Sequence, residues 1–143
     1  MTGLLMCVML QVAGAGDAPA TYEQAYREAQ TNGRPIMVLV GADWCPGCQT
    51  MKGGVLARMM RSGKLARVNY AVVNTDRERA LASRLMQGNS IPQLIVFSKS
   101  GKDTWSREQI TGAAGEDSVA ALIDKAAAAT ASTESSSADT AKN

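Results

Sequence analysis

Two cysteines three positions apart, Cys45 and Cys48, are the residues of this sequence best suited to chemistry. They lie in the stretch GADWCPGCQT, residues 41–50, directly after a run of apolar side chains. Thiols at this spacing can ligate a metal, form a structural disulfide, or alternate between a dithiol and a disulfide. The surrounding residues favour one of these chemistries over the other two.

A metal site is poorly supported by the ligands that the sequence offers. Structural zinc takes four Cys or His ligands, whereas the sequence has no His and three Cys. An iron–sulfur cluster meets the same shortage. A dimer that brought two cysteine pairs to one metal is the remaining alternative, and we otherwise expect no metal and no cofactor.

A permanent disulfide between Cys45 and Cys48 would close a very short loop. Because the stabilisation that a disulfide gives grows with loop length in the chain-entropy model, this position suits a structural disulfide poorly. The alternative stays open that the pair remains oxidised and takes no part in a reaction.

The residues around the pair favour a redox couple. Pro46 is typical of the first position of a helix, which places Cys45 among unpaired backbone N–H groups at the positive end of the helix dipole. These groups favour the thiolate, which is the species that attacks a disulfide. Cys48, almost one turn further on, would point inward and could attack a mixed disulfide between Cys45 and a substrate. We therefore predict that Cys45 is the nucleophile and Cys48 the resolving cysteine.

The elements that must position this pair alternate between strand and helix. The run 36–40 is apolar at every position, which suits a strand buried on both faces. A capping-box pattern at Thr21 and Gln24 begins a first helix, and Gly53-Gly54 is a weak point in the helix that follows the cysteines. Further strands are predicted at 68–73, 93–97 and 104–111, and further helices at 77–87 and from about 117 to 129. The predicted fold class is α/β, with a central mixed sheet of four or five strands flanked by helices.

The first residues predict export. Residues 4–12 form a short apolar run, and Ala13-Gly14-Ala15 follows it with the small-x-small pattern that suits signal-peptidase cleavage after Ala15. No Lys or Arg precedes the run, so the usual basic region is missing or the true start of the protein lies elsewhere. Cleavage would remove Cys7 and leave one cysteine pair in an oxidising, periplasmic or extracellular compartment.

The rest of the chain predicts one domain and a tail. Beyond residue 129 the sequence is rich in Ser, Thr and Ala, which is typical of disorder. A net charge of +2, with Lys and Arg dispersed among Asp and Glu, indicates no nucleic-acid partner. We expect a monomer with a signal peptide at 1–15, a domain at 16–129 and a disordered tail at 130–143.

The region from about Thr21 to Ala129 resembles the thioredoxin family. The segment WCPGC, residues 44–48, matches the W-C-x-x-C motif of that family. Ile91-Pro92 falls where the family carries its cis-proline before a strand, and Gly112 falls where the family has a glycine after the last strand. The resemblance implies the thioredoxin fold and dithiol–disulfide exchange with protein substrates.

The resemblance also implies which residues meet the substrate. In the family the cis-proline loop lies against the disulfide and pairs with the extended chain of the substrate, a role that falls here to Ile91 and Pro92. Trp44 is expected to shield the disulfide and to offer an apolar surface, and Pro46 and Gly47 complete the predicted substrate-binding residues.

The segment Ala42-Asp43-Trp44-Cys45 makes the chain more similar to secreted and membrane-associated thioredoxin-like reductase domains than to cytosolic thioredoxins. Two departures support this distinction: the absence of a lysine in the predicted strand 68–73, and Leu39 in the strand before the motif. Cytosolic members carry a buried Asp six residues before the first motif cysteine, where this chain has Leu39, so the resemblance provides no usual base for Cys48. Asp43 is the nearest acidic residue in sequence, and it equally suits an ordinary solvated carboxylate. Gln93 stands where Thr often follows the cis-proline.

The sequence therefore predicts a thiol–disulfide oxidoreductase that reduces disulfides of exported proteins. Its expected partners are protein thiols and disulfides, and a thiol protein, membrane-bound or not, that supplies electrons. Two alternatives remain: a non-catalytic peptide-binding module of the thioredoxin fold with a permanently oxidised pair, or a disulfide oxidase or isomerase. Pro46-Gly47 inverts the Gly-Pro of cytosolic thioredoxins, and because this dipeptide tunes the redox potential, it leaves the direction of electron flow open. The short segment 75–91 lacks a large helical insertion, which favours a reductase over an oxidase.

Overall fold

The computed structural model describes residues 18–139, with side chains up to residue 132. The predicted signal peptide at 1–15 and the final residues 140–143 lie outside the described part of the chain.

Helices and strands alternate along the chain, close to the predicted positions. The helices are α1 Tyr22–Asn32, α2 Pro46–Gln49, α3 Leu56–Arg61, α4 Arg79–Leu85 and α5 Glu116–Asp139, with a π-helical segment, Thr50–Val55, between α2 and α3. The strands are β1 Ile36–Gly41, β2 Asn69–Asn74, β3 Gln93–Lys99 and β4 Trp105–Thr111. The capping box predicted at Thr21 and Gln24 is confirmed at the start of α1.

The strands form one four-stranded sheet in the order β2-β1-β3-β4. β1 runs parallel to β2 and antiparallel to β3, and β3 pairs antiparallel with β4. Ahead of α1, Ala20 adds a single parallel bridge to Ala71 at the outer side of β2. The prediction of a mixed four- or five-stranded sheet flanked by helices is confirmed.

Strand β1 is buried on both faces, as its continuous apolar run predicts. Met37 and Leu39 pack into the core cluster that also contains side chains of α3 and α5. Ile36, Val38 and Val40 pack on the other face with side chains of α1 and α4. Because helices pack on both faces of β1, the end of this strand is held in place and positions the residues that follow it.

The helix after the cysteines widens at the predicted weak point. Residues Thr50–Val55 are π-helical, and Gly53 and Gly54 lie within this segment. Glycine has low helix propensity, and π-helical turns are commonly local features inside α-helices. Met51 and Val55 remain buried, so the wider turn keeps the apolar face against the sheet.

The structure differs from the prediction of a disordered tail from residue 130, because α5 continues to Asp139. Alanine has the highest helix propensity, and residues 126–129 are all alanine. The hydroxyl of Thr130 donates to the carbonyl of Ala126 at 3.3 Å, and that of Ser132 donates to the carbonyl of Ala128 at 3.0 Å. Polar composition alone is therefore a poor guide to the start of this segment, where the hydroxyls of Thr130 and Ser132 bond to the helix itself.

Candidate active site

Cys45 lies at the junction between the strand β1 and the helix α2. Its backbone is extended, with φ −90° and ψ 113°, and it caps the helix, since its Sγ accepts a hydrogen bond from the backbone N–H of Cys48 at 3.2 Å. Pro46 takes the first helical position, where its missing N–H leaves no donor unpaired. The predicted place of Cys45 at a helix N-terminus is confirmed.

Cys45 and Cys48 are joined by a disulfide, with their Cα atoms 5.2 Å apart. Both residues are buried, with exposed fractions of 6% and 3%. They pack with Ala42, and the half-buried side chain of Ile91 lies against this small cluster. The oxidised pair is thus covered by its neighbours on most sides.

Gly41, the last residue of β1, lets Cys48 sit directly on the end of the strand. A Cβ atom at Gly41 would lie 2.7 Å from the Sγ of Cys48 and 2.9 Å from its Cβ. Only a residue without a side chain permits this approach. Gly41 was not among the predicted site residues, although a glycine that ends a buried strand just before the motif is a readable signal.

The loop that contains Ile91 and Pro92 covers the other side of the motif. The Ile91–Pro92 peptide bond is cis, and a Cβ atom at Gly47 would lie 3.3 Å from the Cδ of Pro92. The carbonyl of Pro92 accepts a hydrogen bond at 2.8 Å from the N–H of Gly112, whose φ of 94° suits glycine. The structure therefore brings Gly47, Ile91 and Pro92 together beside the disulfide.

Gln93 holds this loop from inside the protein. Its side chain is fully buried, and its Oε1 accepts a hydrogen bond from the N–H of Gln87 at 3.0 Å. Its Nε2 donates to the carbonyls of Gln87 and Ser90, each at 2.9 Å. Gln93 thus faces the interior, where its carboxamide satisfies the backbone of the loop that leads to Pro92.

Trp44, next to the disulfide in sequence, is a large apolar side chain with an exposed fraction of 70%. Its Nε1–H donates to Oδ2 of Asp76 at 3.0 Å, and Asp76 follows β2 in a turn where its N–H is bonded to the side chain of Asn74. This contact orients the indole while leaving it open to solvent. Asp76 was not predicted, because the contact joins residues far apart in sequence.

A cavity of about 360 Å³ lies behind Cys48. Leu39 and Gly41 from β1, with Cys48, form part of its wall. Polar and charged residues that also line it are Asp43, Gln49, Lys52, Asn74, Arg77 and Glu78. Asp43 forms an ion pair with Arg77, and its side chain is 54% exposed, so it lies at the edge of the cavity as a solvated carboxylate.

Two classes of feature are absent from the described part of the chain. No group of three or more His, Cys, Asp or Glu side chains there could hold a metal ion. Nor does that part contain a helix with the length and apolar character needed to cross a membrane.

Known proteins share both the sequence pattern and the fold. A family model for thioredoxin-like proteins matches residues 17–99. The thiol:disulfide interchange protein TxlA of Synechococcus elongatus is 29% identical over 105 residues, which cover 71% of this chain and 54% of TxlA. The thiol:disulfide interchange protein DsbD of Campylobacter jejuni is 27% identical over 108 residues, which cover 72% of this chain and 18% of DsbD. The chain thus spans about half or less of the length of these relatives.

Among solved structures, a thioredoxin from Thermus thermophilus superposes with a TM-score of 0.59 at 25% identity. The match covers 73% of this chain and 82% of that thioredoxin. The fold predicted from the resemblance is therefore confirmed.

Proposed function

Because the chain belongs to the thioredoxin-like family, we propose that it is a thiol–disulfide oxidoreductase in which Cys45 and Cys48 alternate between dithiol and disulfide. The observation that carries this proposal is the disulfide between a cysteine at a helix N-terminus and a second cysteine one turn inside the helix. The helix terminus favours a thiolate at Cys45, and the inner cysteine stands where it can displace a substrate from it.

The reaction proceeds in two exchanges. The thiolate of Cys45 attacks one sulfur of a substrate disulfide, a mixed disulfide forms, and the other substrate sulfur leaves as a thiolate that takes up a proton. Cys48 then loses its proton and attacks the Sγ of Cys45, which forms the Cys45–Cys48 bond and releases the second substrate thiolate. Two electrons pass from the dithiol to the substrate, and a thiol protein that donates electrons restores the reduced pair.

The substrate in this proposal is an extended protein segment. Trp44 offers an exposed indole on one side of the disulfide, and Ile91 and Pro92 border it on the other. Gly47 and Pro46 lie between them and present little side-chain bulk to an approaching chain. These features support a binding surface for the backbone around a cystine rather than a deep pocket for a small molecule.

We also propose that the protein acts as a monomer in an exported, reducing pathway. The apolar run 4–12 and the small residues after it support export, since they match a signal peptide. An oxidising compartment supplies protein disulfides, so a reductase there requires a dedicated thiol partner, membrane-bound or not, as its electron donor.

A redox titration combined with an activity assay tests this function. The protein is expected to catalyse the reduction of insulin by dithiothreitol, while it oxidises a reduced peptide poorly. A potential below about −300 mV, together with no alkylation of the reduced protein at Cys45 at neutral pH, would instead identify a structural disulfide in a binding module. Efficient peptide oxidation without insulin reduction would reverse the direction of electron flow.

A further inference from the structure

We propose that Glu78 receives the proton of Cys48, through water in the cavity behind the disulfide, when Cys48 attacks the mixed disulfide. Since it acts through water and does not touch the sulfur, Glu78 is a positioning residue for this step. The inference rests on the proposed function, because it concerns the second of its two exchanges.

Cys48 needs a proton acceptor close by. The thiolate is the attacking species, and an apolar, buried environment disfavours the charged form of a thiol. Cys48 is 3% exposed, and Leu39 next to it in the cavity wall carries no group that can accept a proton. The acceptor must therefore come from another part of the cavity.

The register of the sheet places Glu78 across from Cys48. Cys48 rests against Gly41, and Gly41 is the direct partner of Asn74 in the parallel pair of β1 and β2. The backbone N–H of Asn74 donates to Oε2 of Glu78 at 3.1 Å. Glu78 is half-buried and lines the same cavity as Cys48. Its carboxylate is thus fixed one strand away from the sulfur.

The other carboxylates near the site have different partners. Asp43 is paired with Arg77, and Asp76 accepts the hydrogen bond of the Trp44 indole. Within residues 18–132, no Lys or Arg nitrogen lies within 4.0 Å of the Glu78 carboxylate, which has lone pairs left to accept a proton. Of the two carboxylates that line this cavity, Asp43 and Glu78, Glu78 is therefore the one that is not held in an ion pair.

The path for the proton from Cys48 to Glu78 runs through the cavity. Its volume of about 360 Å³ is ample for several water molecules, each of which occupies about 30 Å³ in the liquid. The exposed side chain of Lys52 also lines it. The proton moves from the Cys48 thiol to water and from water to the Glu78 carboxylate. Cys48 then bonds to Cys45, and the displaced substrate thiolate leaves.

Rapid mixing of the reduced Cys7→Ser protein with dithiobis(nitrobenzoate) separates the two exchanges, since Cys45 and Cys48 are then the two thiols that remain. This protein is the reference for the variants below. The attack of Cys45 releases one coloured thiolate, and the attack of Cys48 releases the second. In the Glu78→Gln variant we expect the second phase to slow by at least about tenfold near neutral pH, while the first phase is unchanged. The difference should shrink as the pH rises, because the Cys48 thiolate then forms without an acceptor. Gln keeps an oxygen for the N–H of Asn74, so the fold is preserved.

Three further variants complete the experiment. Asp43→Asn, which alters another carboxylate at the same cavity, should leave the second phase within about twofold of the wild type, and Glu78→Asp should restore part of the rate. Cys48→Ser identifies the first phase by itself. The role of Glu78 is overturned if the rate of the second phase is unchanged in Glu78→Gln, or if Asp43→Asn slows the second phase by the same factor. Absence of both phases in the wild-type protein would instead overturn the proposed function.

Discussion

Cys45 and Cys48 share one covalent bond, yet they lie in different surroundings. Beside Cys45 are an exposed indole and a loop that borders the disulfide from outside, formed by Ile91 and Pro92. Beside Cys48 are the bare backbone of Gly41 and a cavity whose polar side chains belong to the protein itself. The first set of contacts lies beside the exposed indole, whereas the second set is fixed by the register of β1 and β2.

This difference assigns two tasks to a five-residue motif. In the proposed reaction, the Cys45 side meets the partner, and the Cys48 side controls the proton that must leave before the partner can be released. Substitutions on the Cys45 side should therefore lower the activity towards protein substrates more than the activity towards small disulfides. Variants on the Cys48 side should affect both kinds of substrate, as well as the stability of the oxidised protein.

Exchanging the cysteines one at a time should give the largest effect. Cys45→Ser should reduce insulin reduction to background, because the thiol that remains, Cys48, is buried inside the helix. The Cys48→Ser protein keeps the attacking thiol and should accumulate a mixed disulfide through Cys45. Mass spectrometry of the trapped species measures this difference. Cys7→Ser is the control and should retain activity. Equal trapping through Cys45 and through Cys48 would remove the distinction between the two sides.

A substitution at Gly41 tests the Cys48 side. In Gly41→Ala the added methyl group would lie 2.7 Å from the Sγ of Cys48, so the strand end or the disulfide must shift. We expect the free energy of unfolding of the oxidised protein to fall by about 1–3 kcal/mol, as for an overpacked core. Urea unfolding of the oxidised and the reduced protein measures this change in the free energy of unfolding.

Gly53→Ala is the matched control for this experiment. No atom lies within 4 Å of a Cβ at Gly53, and alanine has the higher helix propensity, so this variant should be as stable as the wild type or more stable. A Gly41→Ala protein as stable as Gly53→Ala would show that the contact with Cys48 is not tight.

Trp44 tests the Cys45 side. In Trp44→Ala we expect kcat/KM for insulin to fall by about fivefold, which corresponds to ~1 kcal/mol of lost contact with the protein substrate. The first phase with dithiobis(nitrobenzoate) should stay within about twofold of the wild type, and stability should change little, since the side chain is 70% exposed. An equal loss for both substrates would indicate that Trp44 acts on Cys45 itself.

The hydrogen bond between Trp44 and Asp76 should give the smallest effect. In Asp76→Ala the indole loses its acceptor and becomes free to turn, so kcat/KM for insulin should fall by about twofold, whereas Asp76→Asn keeps an acceptor and should behave as the wild type. Parallel insulin assays of the two variants measure it. A larger loss in Asp76→Asn than in Asp76→Ala would show that the charge matters more than the hydrogen bond.

Local patterns account for the parts of the fold that the sequence predicted. The uninterrupted apolar run of β1 predicted burial on both faces, and Pro46 predicted the helix that begins after Cys45. These features depend on neighbours in sequence, so they can be read without a structure. The same holds for the pair Thr21 and Gln24, whose side chain and backbone contacts lie within one helical turn.

Contacts between distant segments account for what the sequence did not predict. The roles of Gly41 and Asp76 depend on which strand lies beside which, and the inward orientation of Gln93 depends on the path of the preceding loop. The helical residues beyond 129 were missed for a different reason, since Ser and Thr were read as signs of disorder although their hydroxyls can bond within a helix.

The buried carboxamide of Gln93 has a consequence for how recognition can be altered. Because the loop before Pro92 is held by hydrogen bonds on its inner side, its backbone shape does not depend on the side chains of its outer side. We therefore expect that the exposed positions of this loop, such as Asn89 and Ser90, can be exchanged to suit a different partner, whereas Ile91 packs against the disulfide and must be kept. We expect affinity to be altered separately from the chemistry of the disulfide, and a library restricted to those exposed positions is the direct way to test this.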